Sequence, residues 1–69
     1  MIQTLRECFA KNIKFYREKK KLKREELSLM LCVDNSYISK LEKGRINITL
    51  DKLEQLAKIL EVEAYELLK

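Results

Sequence analysis

Apolar residues recur along this chain at helical intervals, in five separate groups. Leu5, Phe9, Ile13 and Tyr16 fall on one stripe and predict a first helix over about Leu5 to Lys19. The run Lys19-Lys20-Lys21 ends it, where cations suit the negative end of the helix dipole. A second helix begins near Arg24, with Glu25 and Glu26 in its first turn and Leu27, Met30 and Leu31 directed inward. Asp34 then opens a third helix, since its carboxylate can accept backbone N–H groups of the first turn. That helix runs from Asn35 to Lys43 and stops at Gly44, in a left-handed cap. Ile38 and Leu41 mark one face; Asn35, Ser36, Ser39, Lys40 and Lys43 mark the other. Arg45 to Ile48 form a loop, and Thr49 caps a fourth helix with the stripe Leu50, Leu53, Leu56, Ala57 and Leu60. A last short helix holds Ala64, Tyr65, Leu67 and Leu68.

No run alternates apolar and polar between turn signals, so strands are not expected. One Gly and no Pro leave little to interrupt helices. The expected class is all-α, a compact five-helix bundle with connections of a few residues. The 69 residues suit one domain, spanning 1–69. A hydrophobic content of 46% supplies a core, yet a domain of this size is marginal and gains from tight packing or dimerisation.

Charge changes the picture more than composition does. Residues 1–45 carry twelve Lys/Arg against six Asp/Glu, a balance of +6. Residues 46–69 carry three Lys against five Asp/Glu, a balance of −2. A basic front and a mildly acidic tail point to one face for a polyanion, although a plain solvated surface accounts for charge alone. Cys8 and Cys32 make no CxxC pair and no His is present, so a zinc site is not expected. The same lack of His, with no Gly-rich phosphate loop and no base beside either Cys, argues against an enzyme; no cofactor is expected and no small-molecule ligand is evident. The N-terminus lacks a continuous apolar run, and no stretch approaches the roughly 20 apolar residues of a membrane span. A cytoplasmic protein with reduced thiols is expected.

The segment from Leu22 to Gly44, LKREELSLMLCVDNSYISKLEKG, carries the functional signal. Two short helices joined by a tight turn, the second with an exposed face rich in donors, form the arrangement that reads DNA in the major groove.

These residues resemble the Cro/repressor-type helix-turn-helix domains, the XRE family, with their lambda-repressor-like fold. The resemblance covers about Phe9 to Leu68. It rests on LKREELS, VDNSYISKLEKG, RINITLDKLEQLAKILEV and AYELL, in that order. Ser28 stands at a position where the family favours a small residue, and Val33 at an apolar one. The family often has Gly where this chain has Cys32 and Glu61, and Pro where it has Ile48.

The resemblance implies a sequence-specific regulator of transcription on double-stranded DNA. Segments YISKLEKG and NIT lean toward restriction-modification controller proteins. Asn35, Ser36 and Lys40 become the candidates for base contact, with Ser39 ranked below them. Asn can pair in bidentate fashion with adenine, Lys can reach guanine O6 and N7, and Ser can serve either. Arg24, Tyr37, Lys43, Arg45 and Asn47 are the phosphate candidates; such contacts fix register rather than sequence. For Tyr37, a partly buried ring is an equal alternative. Arg17 and Glu42 occupy positions where the family often has an ion pair between the first helix and the end of the third. Leu60, Val62, Tyr65 and Leu68 either close the core or form a homodimer contact, as a pseudo-palindromic operator would need. The competing class is a protein-interaction module of the same fold, such as an antitoxin-like partner-binding protein.

Overall fold

The computed structural model describes residues 4–69. It has α1 over Leu5–Lys19, α2 over Arg24–Met30, α3 over Tyr37–Glu42, α4 over Leu50–Leu60, and a 3-10 helix over Ala64–Leu67. The class is all-α, with four α-helices and one 3-10 turn instead of five α-helices among the described residues. Thr4 starts α1 with a capping box. Its hydroxyl accepts from the Glu7 N–H at 3.1 Å, and the Glu7 carboxylate accepts from the Thr4 N–H at 3.3 Å. Thr49 caps α4 by accepting from the Lys52 N–H at 3.2 Å.

The core gathers Phe9, Ile13, Leu27, Leu31, Ile38, Leu41, Leu53, Leu56, Ala57, Leu60 and Leu67. Helix α1 packs on α3 and on the 3-10 helix, α2 packs on α3, and α4 packs on the 3-10 helix. The Asn12 amide donates to the carbonyls of Leu67 at 3.0 Å and Lys69 at 3.2 Å, fastening the chain end to α1. Among the described residues, no helix is long and apolar enough to cross a membrane.

Three residues of the expected apolar stripes lie outside it. Met30 is 52% exposed and Leu50 is 78% exposed. The stripes have the right period but overrun the core: Leu50 opens α4 beyond its neighbours, and Met30 closes α2 while Leu31 fills the interior. Leu5 is exposed for the same reason, at the first residue of α1.

All four α-helices end in one hydrogen-bond pattern. A left-handed residue follows the last turn, at Lys21 (φ 58°), Cys32 (φ 61°), Gly44 (φ 70°) and Glu61 (φ 59°). In each case the next N–H reaches back five residues: Leu22 to Arg17, Val33 to Ser28, Arg45 to Lys40, and Val62 to Ala57, at 3.0–3.1 Å. This Schellman closure satisfies carbonyls that the helix would leave open. The two positions where glycine is usual, Cys32 and Glu61, do adopt left-handed backbone.

Candidate nucleic-acid interface

The site is built on α2, the turn after it, and α3. The left-handed Cys32 reverses the chain, and Val33 turns back against the core. Residues 35–36 form a turn, so α3 begins two residues later than the sequence pattern predicts. The reason is local competition. The Asp34 carboxylate accepts from the Ser36 hydroxyl at 2.9 Å, and the Asp34 carbonyl accepts from the Tyr37 N–H at 2.9 Å. Asp34 thus organises a turn and does not cap the helix with its side chain. Ser28, fully buried in α2, reaches across the bend. Its hydroxyl lies 3.4 Å from both the Asn35 carbonyl and the Ile38 N–H. A small side chain is needed there, because the start of α3 passes directly over it.

The far end of α3 is held by charge. Arg17, buried on α1, donates from Nε to Glu42 Oε2 at 2.6 Å and from Nη2 to Oε1 at 3.3 Å. Its Nη1 donates to the Leu22 carbonyl at 2.8 Å. Arg24, at the start of α2, donates from Nε to Glu42 Oε1 at 3.1 Å. One carboxylate therefore ties α3 to both α1 and α2. Two-point Arg–carboxylate bonds of this kind fix direction as well as distance. No buried side-chain polar atom among the described residues is left without a partner.

Lys40 is exposed on α3, Asn35 is exposed in the turn before it, and Ser36 and Ser39 are half-buried. Tyr37 is half-buried against the core, and burial pushes its hydroxyl pKa up. Lys43 and Arg45 are exposed on either side of Gly44. Arg24 is engaged by Glu42 through Nε, so only its terminal nitrogens point elsewhere. Asn47 accepts from Arg6, a residue that the sequence pattern did not single out. Arg6 also packs its methylenes over Gly44, 3.8 Å from where a Cβ would stand. Of the residues expected at a dimer contact, Leu60 is 2% exposed and belongs to the core, so it cannot face a second chain. It continues the buried α4 stripe of Leu53, Leu56 and Ala57, one turn after Leu56. Val62 and Leu68 are half-buried, while Tyr65 is 63% exposed.

The two-helix unit and its helical setting match the family described as Helix-turn-helix over residues 13–67. The chain belongs to the helix-turn-helix family. Over 66 residues, 96% of this chain, it is 39% identical to a hypothetical transcription factor of Neisseria meningitidis serogroup B. It spans 62% of the length of that relative. The crystal structure of the hypothetical transcription factor NHTF from Neisseria superimposes with a TM-score of 0.92 at 39% identity, covering 97% of this chain and 77% of that one. The restriction-modification controller protein C.AhdI from Aeromonas hydrophila superimposes with a TM-score of 0.82 at 31% identity, covering 88% and 92% of the two chains. Helix-turn-helix character thus extends across the described fold, from inside α1 to the 3-10 helix.

Proposed function

We propose that this protein is a sequence-specific, double-stranded DNA-binding transcriptional regulator, a repressor or autoregulator. It works in the cytoplasm, without catalysis, cofactor or small-molecule ligand. One observation carries this reading: the outward side of a short helix, bearing Lys40, is fixed at both ends by buried groups, Ser28 at its start and Glu42 at its finish. A polar face held that firmly suits reading rather than mere solvation. Relatives described as a transcription factor and as a restriction-modification controller support it.

In this reading α3 enters the major groove. Asn35, Ser36 and Lys40 address base edges, with Ser39 beside them. Arg24, Tyr37, Lys43, Arg45 and Asn47 hold phosphates. The operator is pseudo-palindromic, and a homodimer presents two copies of α3 about one helical turn, roughly 34 Å, apart. Tyr65, Val62 and Leu68 form the dimer face.

Two substitutions test reading against holding. Lys40→Ala is expected to relax preference at one base pair per half-site, by about 1–3 kcal/mol of discrimination. Arg45→Ala is expected to weaken binding about equally on all sequences and to lower the salt slope by roughly one unit per subunit. Selection from a random duplex pool with each variant gives both readouts. Equal scaling of affinity by both, with base preference intact, removes Lys40 from the reading face. Loss of neither moves the fold toward a protein-interaction module.

A further inference from the structure

Beside the finish of α3 lies a groove of about 260 Å³, of whose lining the reading above uses Lys43 alone. Its floor is low because Ala10 and Gly44 lie there. Its walls carry Lys11 and Lys14 from α1 and Lys43 from the residue after α3. Lys11 and Lys14 are three residues apart on one helix, so they project from the same face. All three lysines are exposed, and among the described residues none lies within ion-pair distance of a carboxylate.

Two carboxylates line the same groove, and both are occupied. Glu7 is turned back onto Thr4, accepting from its N–H and its hydroxyl at 3.3 and 3.0 Å. Glu42 is almost wholly buried and shared between Arg17 and Arg24. The groove therefore presents three ammonium groups, with its acidic neighbours already matched by partners. Such a channel suits a run of phosphodiesters.

We infer that Lys11 and Lys14 grip the DNA backbone beside the half-site, with Lys43 as the bridge from α3. DNA contact then extends from the helix-turn-helix onto α1 and lengthens the footprint of each subunit on its outer side. The inference rests on the regulator reading. It assigns phosphate contact, not base reading, to the groove.

The test compares the unchanged protein with Lys11→Gln/Lys14→Gln and with Lys58→Gln, an exposed lysine on α4 away from the groove. Binding to a random-sequence duplex of about three helical turns is followed as salt is raised. The double variant is expected to lower the salt slope by up to roughly two units per subunit, at unchanged melting temperature. Hydroxyl-radical footprinting is expected to lose protection only at the outermost phosphates. Base preference in the selected operator should stay as it was. Lys58→Gln should leave all of these unchanged. A double variant with the slope and footprint of the unchanged protein overturns the groove contact while the regulator reading stands. So does a Lys58→Gln slope that falls by as much per lysine removed, since the effect is then bulk charge. If the unchanged protein binds no duplex even at low salt, the regulator reading falls, and this contact falls with it.

Discussion

Among the described residues, three other than glycine adopt backbone that glycine accepts most readily: Lys21, Cys32 and Glu61. Left-handed backbone costs an L-residue about 1–2 kcal/mol. Replacing it by glycine forfeits about 0.5–1 kcal/mol, because glycine gives the unfolded chain more freedom. The first effect is the larger, so Cys32→Gly is expected to stabilise the fold by about 0.5–1 kcal/mol. A urea transition will show this as a higher midpoint at unchanged slope. A midpoint that does not rise means the turn relaxes around Cys32 at little cost. Glu61→Gly gains less, since Glu61 also pairs with Lys20 across the exposed surface, a contact that solvent weakens but does not abolish. Cys32 and Glu61 could be picked out beforehand because the resemblance places glycine there. Lys21 could not, because a lysine run after a helix looks like ordinary dipole compensation.

At the scale of elements, the positions of α1 and α4 were legible from apolar period, with a lysine run to close α1 and Thr49 to cap α4; the Thr4 capping box was not. The length of α3 was not. Asp34 and Ser36 bond to each other, and two nearby polar side chains give no signal of which turn they prefer. The last element tightens into a 3-10 turn. Four residues are too few for periodicity to separate the two helix types. The join between α1 and α3 was legible in kind, as an Arg17–Glu42 pair, but the second arginine on Glu42 was missed. The sequence marks Arg24 as a phosphate candidate at a helix start and gives no sign of its bond to Glu42. The two arginines should differ in energy. Arg17 is buried, so removing it leaves a buried carboxylate with Arg24 as its one remaining cation, which costs up to about 3–5 kcal/mol. Arg24 is half-exposed, and Arg24→Ala should cost no more than about 1 kcal/mol. In a denaturation cycle, Arg17→Ala with Glu42→Gln should cost less than the sum of the singles, by about 0.5–3 kcal/mol. Additive losses would mean that the ion pair contributes nothing beyond its separate parts.

For the whole molecule, the all-α class followed from the pattern, and the basic half of the chain did fold into the part that carries the two-helix unit. What the pattern could not tell was which stripe residues end up inside. Leu50 and Leu60 lie in one stripe, yet one is exposed and the other buried. That depends on where neighbouring helices stop. The distinction matters for assembly. Tyr65→Glu is expected to shift sedimentation at micromolar concentration from dimer to monomer while leaving the fold intact. Leu60→Ala is expected to destabilise the fold itself by about 2–5 kcal/mol, with no separate effect on association. A monomer before any substitution would remove the two-fold operator from the reading.

The helix proposed to read DNA, α3, is six residues long, less than two turns. Helices shorter than about 12–15 residues scarcely persist alone in water. Its shape is therefore on loan from the buried serine at one end and the shared carboxylate at the other. A synthetic peptide copied from Asn35 to Gly44 would carry every candidate base-reading side chain and still lie unstructured. The recognition segment is not portable. Moving it to another scaffold would mean carrying Arg17, Arg24 and Ser28 with it, so in practical terms the smallest transferable reading unit spans three helices.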